Sequence, residues 1–325
     1  MELRKVQRTG GGTFLVSLPK EWAERNGLDR GSLVAVSERL NGRLVVDPKY
    51  GVERAQQTAV IKPTPYLVHE IIGKYLLGYD ILRVEAKDRI SPEDRESVKQ
   101  RSSRLIGLEI IEEDYSRIVM QCLLEPSSFP PEKILRREYS IASNMHRDAV
   151  TALIEGDVPL AKNVVARDDE VDRLYFLLVR ILRTVIQNPY LSEKLEILPI
   201  DCLDHRLAAS LVESIGDQST QIAENAIGLK GAKPTEKLYQ LFLNLHKIAY
   251  ASHENAMKAL FSRDISLAES IRARREVVAS VFHEIETIVH AQPMEFAPYI
   301  LAASSISRIY DYCVDIADLG MPRPI

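Results

Sequence analysis

The chain has 325 residues, of which 46% are hydrophobic and 27% charged, and its formal net charge is −4. That length allows two or three domains with buried cores, and the near-neutral balance excludes a global field that would hold the whole molecule on nucleic acid or a membrane. Three scattered cysteines (Cys122, Cys202, Cys313) exclude a disulfide framework and a zinc spacing. M-E-L-R-K lacks a signal peptide's apolar run, and no stretch approaches the ~20 apolar residues of a membrane span, so a cytoplasmic protein is expected.

The charge is unevenly spread. Residues 1–50 hold nine Lys/Arg against six Asp/Glu, a basic head on an acidic body. R-K-V-Q-R-T-G-G-G-T-F-L-V-S-L-P reads as two strands around a glycine turn. Pro19 opens a short helix, K-E-W-A-E-R-N, with Ser17 as its expected cap and Gly27 as its stop. Two further strands follow, joined through Asn41-Gly42, a hairpin signal. One short helix and four strands bury too little apolar surface to fold alone, so a second copy is expected to complete the core.

The motifs K-V-Q-x-T-G-G, V-S-L-P-x-x-W and G-L-x-x-G, over roughly residues 3–48, resemble the AbrB/SpoVT swapped-hairpin family. That resemblance implies a dimerising, DNA-binding domain over 1–50. It assigns DNA contact to Arg4, Lys5 and Arg8 on the first strand and turn, with Lys20 and Arg25 further on. Long cationic side chains on a two-fold dimer can straddle the phosphates of two half-sites.

Residues 51–133 alternate differently. T-A-V-I-K-P reads as a strand, and a stripe of Leu67, Ile71 and Tyr75 as a helix ended by Gly78. A second strand follows, then a helix capped by Ser91 with Pro92 at its first position, then two more strands. The order β-α-β-α-β-β implies a small open sheet with helices on one face, and nothing in it forms a catalytic constellation. E-P-S-S-F-P-P after Leu124 reads as a linker.

Helical periodicity dominates from Ile134 onward, and the sequence repeats. H-R-D-A-V-T-A-L-I-E-G-D-V-P-L-A from His146 returns 107 residues later as H-E-N-A-M-K-A-L-F-S-R-D-I-S-L-A from His253. Glu213-S-I-G-D-Q-S-T-Q-I-A-Glu224 returns as Ser307-R-I-Y-D-Y-C-V-D-I-A-Asp318. With Asp157 and Asp264 as N-caps and breaks near Pro189, Pro199, Pro234 and Pro293, the pattern gives two three-helix units, 134–230 and 231–325, end to end or side by side. The fold class is mainly α: tandem three-helix bundles preceded by a small β-rich swapped-hairpin domain and a small α/β domain.

The first unit carries paired acids. Asp168 and Asp172 are i, i+4 on one helix, and Glu213 and Asp217 are i, i+4 on the next. Antiparallel packing would bring the pairs together, and four ionised carboxylates beside an apolar stripe repel strongly unless a cation joins them. Gly216 within this pattern points to a close helix approach. From spacing alone, the alternative of separate solvated charges stays open.

L-V-E-S-I-G-D-Q-S-T-Q-I-A-E resembles the signature helix of the PhoU family, E-R-I-G-D-x-x-x-N-I-A-E, and R-I-Y-D-Y-C-V-D-I-A-D resembles its second occurrence. The resemblance spans roughly 134–320 and includes the duplication. It implies double three-helix bundles that bind Fe, Zn, Mg or Mn, and it nominates Asp168, Asp172, Glu213 and Asp217 as metal ligands. It also implies a body that senses metal, phosphate or a partner protein, and phosphate-starvation responses as what is controlled. A head joined to such bundles resembles the archaeal form of the family.

The second unit departs from the pattern. Arg275, Ala279, Ser307 and Tyr310 stand where Asp168, Asp172, Glu213 and Gly216 stand, so weak or absent metal binding is expected there, with Arg275 free to pair with Asp311. The expectation is a homodimeric phosphate regulator binding operator DNA through its head. The alternative represses a phosphate transporter or its ATPase by protein contact, the head only dimerising. An enzyme is not expected, because the chain has no Glu-x-x-His, P-loop or G-x-S-x-G.

Overall fold

The computed structural model describes residues 2–38, 42–48, 56–229, 233–292 and 294–320. The chain divides into two units, Met1–Ala55 and Gln56–Ile325, and each is described by itself.

In the first unit, β1 (Gln7–Arg8) pairs antiparallel with β2 (Phe14–Leu15) around the glycine turn. Helix α1 (Lys20–Arg25) follows, and β3 (Ala35–Glu38) pairs antiparallel with β4 (Leu44–Asp47). Gly27, at φ +66°, follows the end of α1 as expected. The expected cap is corrected: Pro19 takes the N-cap position with no side-chain hydrogen bond, and Ser17 Oγ instead accepts from Arg4 at 3.3 Å. Gly42 has the positive φ of a hairpin turn, while Asn41 lies outside the described residues. No described residue of this unit is buried, and Leu3, Val6, Phe14, Val16, Leu33, Val36 and Leu44 are all more than half exposed. Such a fold has hydrophobic side chains but no core of its own.

The second unit opens with a four-stranded sheet. Its strands are β5 (Thr58–Ile61), β6 (Ile81–Glu85), β7 (Leu108–Glu113) and β8 (Arg117–Cys122), in the order β5-β6-β8-β7. β5 and β6 are parallel, joined through α2 (Leu67–Leu76), and the other pairs are antiparallel. Leu67, Ile71 and Tyr75 of α2 are buried, as the periodicity predicts. Ser91 caps α3 (Pro92–Arg104), its Oγ accepting from Asp94 N at 3.0 Å. The linker forms a 3-10 turn at Pro126–Ser128.

Eight further helices make two bundles among the described residues. The first comprises α4 (Pro131–Glu155), α5 (Val158–Gln187), the short α6 (Pro189–Lys194) and α7 (Pro199–Gly228). The second comprises α8 (Glu236–Ser262), α9 (Ile265–Arg272), α10 (Arg275–His290) and α11 (Ala297–Asp318). Pro131, Pro189 and Pro199 each sit in a first turn, where a missing N–H costs nothing; Pro293 lies outside the described residues. Asp157 and Asp264 cap as expected, accepting from Leu160 N at 2.9 Å and Ser266 N at 2.8 Å. Just before each cap the chain turns through left-handed backbone, at Gly156 in the first repeat and at Arg263 in the second. Arg263 also bridges to Asp201 of the first bundle at 2.7 Å.

The bundles stand side by side: α7 packs on α11 and α4 on α8, and one continuous core runs through both. The repeat's own marker residues meet at this seam. His146 Nδ1 lies 3.3 Å from His253 Nε2, His246 Nδ1 is 3.3 Å from His146 Nε2, and Tyr139 Oη is 3.1 Å from His253 Nδ1. Burial holds all three imidazoles below their usual range, His246 at about 4 and His253 at about 3, so they stay neutral and link as donor and acceptor in turn.

The sheet docks on the first bundle through Arg180, which is 4% exposed. It donates to Tyr75 O at 2.7 Å and Tyr79 O at 2.8 Å, and its guanidinium lies over the Tyr75 ring. Tyr75 donates in turn to Ile106 O at 2.9 Å.

Candidate functional site

Helices α5 and α7 lie antiparallel, and their acids face one another. Gly216 of α7 makes room: a Cβ there would stand 3.4 Å from Val171 Cγ1 and 3.7 Å from Asp168 Oδ1. Thr220 donates to Asp168 Oδ1 at 3.2 Å across the same gap.

The acids feel each other. Burial, then Asp217, Asp172 and Asp168, push Glu213 up to about 7, although Arg206 opposes the rise. The packed walls beside Asp217, then Asp168 and Asp172, push it up to about 6. Asp168 and Asp172 are raised as well, chiefly by burial. The four residues nominated from sequence are therefore one electrostatic group, not scattered surface charges.

A fifth acid joins them. Glu138 of α4 is fully buried, and neither carboxylate oxygen has a hydrogen-bond partner. Burial first, then Glu213 and Asp172, lift it well above the carboxylate range, while Arg206 opposes. A buried, unpartnered carboxylate facing other carboxylates is costly unless a further group satisfies it. The signal for it was in the sequence: Glu138 interrupts a buried stripe of Leu135, Ala142, Met145 and Ala149. Arg101 and Arg104 of α3 also reach this region. Both pull Asp172 back down, and Arg104 bridges to the neighbouring Asp169 at 2.8 Å.

The donor set is oxygen-only, which suits a hard or borderline cation. Among the described residues, no three His, Cys, Asp or Glu side chains stand as a ready-made metal site. The helices bring the acids within electrostatic reach of one another. Beside the acids opens a polar cavity of about 620 Å³, lined by Asp168, Asp217, Thr220, Gln221, Asn225 and, from α11 of the other bundle, Arg308.

The second bundle holds no equivalent group among the described residues. At the positions of Glu138, Asp168, Asp172 and Glu213 stand Leu245, Arg275, Ala279 and Ser307, and Leu245 is fully buried. Tyr310 fills the Gly216 position, and its hydroxyl donates to Ile271 O at 2.6 Å where the middle helix breaks between α9 and α10. The expected Arg275–Asp311 pair is corrected: among the described residues no ion pair joins them, and Arg275 acts instead on Asp315 and Tyr310.

In the head, Arg4 is held by Glu2 at 2.5 Å, Lys20 lies 3.7 Å from Glu24, and Arg25 donates to Glu21 O. Arg8 lies over the Phe14 ring, and Lys5 is exposed. These five cations lie on β1, the segment before it, and α1.

Comparison with known proteins places these parts. The PhoU domain model matches residues 135–226 and 242–320, together more than half of the chain. The model described as antidote-toxin recognition MazE, bacterial antitoxin, matches residues 7–51. The chain is 29% identical over 206 residues to a phosphate-specific transport system accessory protein PhoU homolog of Rhizobium meliloti, covering 59% of this chain and 85% of that one. A homolog of the same description from Caulobacter vibrioides is 25% identical, covering 55% and 80%. The helical fold is that of PhoU from Pseudomonas aeruginosa, with a TM-score of 0.52 at 22% identity over 58% of this chain and 93% of that one. No described helix is long and apolar enough to cross a membrane.

Proposed function

The chain belongs to the PhoU family, and from that premise we propose that it regulates phosphate uptake or metabolism by coupling a cation-loaded helical body to a DNA-binding head. The observation that carries this reading is the convergence of Glu138, Asp168, Asp172, Glu213 and Asp217 on one bundle, with Glu213 and Asp217 raised and Glu138 unpartnered. A divalent or trivalent ion (Fe, Zn, Mg or Mn) relieves that repulsion, with Glu213, Asp217, Asp168 and Asp172 as ligands and Glu138 beneath them. Arg308 and the hydroxyl and amide groups of the adjoining cavity suit an anion such as phosphate beside the ion.

The head acts as a dimer. Its exposed apolar side chains supply the missing core when two copies interleave. Arg4, Lys5, Arg8, Lys20 and Arg25 then contact operator phosphates.

Elemental analysis of purified protein tests the body. Wild type is expected to retain metal and Asp217→Ala to lose it; equal content in the two refutes the site. Binding to the chain's own upstream DNA over a salt series tests the head. The Arg4→Ala/Lys5→Ala/Arg8→Ala variant is expected to bind weakly and with a shallower salt slope. Equal binding by wild type and variant would leave control to protein contact with transporter components.

A further inference from the structure

A second cavity lies away from the acids, where the sheet domain meets the first bundle. It measures about 310 Å³, within the range of small-molecule sites. Its walls are apolar: Ile106 from the sheet domain, Phe129 from the linker, Leu174 and Leu177 from α5. Its polar lining is largely cationic, with Lys133, Arg137 and Arg173 against the single acid Glu170. Arg137 is loosely tied to Glu170 at 3.4 Å, and among the described residues Lys133 and Arg173 close no ion pair. Two uncommitted cations over an apolar floor are not explained by the fold, because neither the docking of the sheet domain by Arg180 nor the packing of α4 on α5 uses them.

We propose that this seam cavity binds a small organic phosphate monoester, its apolar or aromatic body against Phe129, Leu174 and Leu177 and its phosphate on Lys133, Arg137 and Arg173. The surplus of two positive charges matches a head group that carries close to two negative charges at neutral pH. Guanidinium and ammonium groups hold phosphate oxygens through charge-assisted bonds, and an apolar wall takes the body. Arg137 precedes Glu138 and Arg173 follows Asp172, so the two helices that would carry this ligand also carry the acids.

The test is calorimetry on the full chain in a chelating buffer, which keeps any metal at the acids out of the measurement. The probe is 1-naphthyl phosphate, with 1-naphthol and inorganic phosphate as its separated halves. One probe is expected per chain, bound at least about tenfold more tightly than either half. Lys133→Ala/Arg173→Ala should weaken it by about tenfold or more, while Lys133→Arg/Arg173→Lys should keep it within about threefold. Both positions are exposed, so circular dichroism should show both variants folded. The proposal is overturned if the probe shows no binding up to about 1 mM, if the double alanine variant binds as wild type does, or if inorganic phosphate alone binds as tightly.

Discussion

The two bundles share a repeat, a helix order and a core, yet they resolve the same positions in opposite ways. In the first, Glu138, Asp168, Asp172 and Glu213 press carboxylates together and Gly216 leaves a gap between helices. In the second, the same five positions hold Leu245, Arg275, Ala279, Ser307 and Tyr310, and the middle helix breaks where the tyrosine hydroxyl takes up Ile271 O. In the second bundle two of those positions serve packing, since Leu245 and Tyr310 are fully buried, while Arg275 and Ala279 are exposed. The first keeps a buried, unpartnered carboxylate that packing alone would remove.

Exchanging the residues at the Glu138 and Leu245 positions should have effects of opposite sign, and this is the largest test of the contrast. Leu245→Glu places an unpaired carboxyl in a dry core and should destabilise by about 3–5 kcal/mol. Glu138→Leu, measured in chelator, removes one and should stabilise by about 1–3 kcal/mol. Scanning calorimetry reads both, at about 2–4 °C per kcal/mol for a unit of this size. Destabilisation by Glu138→Leu without metal would mean that the acid is structural.

Next comes pH. Glu213 at about 7 and Asp217 at about 6 stand above their unfolded values. The unfolded chain therefore ionises these acids first, and the stability they allow is full below about pH 4 and lost as pH rises through 6 and 7. The neutral histidines at the bundle seam act the other way, since their depressed values cost stability as pH falls below about 6.5. The two slopes separate in Glu213→Gln. In chelator its thermal midpoint should exceed wild type increasingly between pH 5 and 8, and Mn²⁺ should close the gap by stabilising wild type. A constant difference across that range would show that Glu213 is not raised.

Much of this contrast was legible in the sequence. Periodicity and caps placed the helices, because Asp157, Asp264 and the proline breaks act locally, within one turn. The i, i+4 acids could be read for the same reason. Glu138 was missed because it stands alone; only its position on a buried stripe distinguishes it, and its partners lie on other helices. Arg104 and Arg206 were missed because their partners are set by packing that no local pattern encodes. The histidines were visible as the repeat's first residues, but their meeting at the seam required knowing that the bundles lie side by side.

The smallest expected effect is at Gly216. Gly216→Ala adds a methyl in ordinary contact with Val171, so helix propensity should carry stability upward by no more than about 1 kcal/mol. The same methyl stands 3.7 Å from Asp168 Oδ1, in the space an ion and its ligands would share. If the gap exists for packing, Ala should improve stability and leave metal content alone. If it exists for the ion, the variant should be at least as stable as wild type yet hold metal about tenfold more weakly, read by competition with a fluorescent chelator. Opposite movement of stability and affinity at one glycine would separate a site from a helix contact more cleanly than removing any of the acids, since every acid variant changes charge and metal binding together.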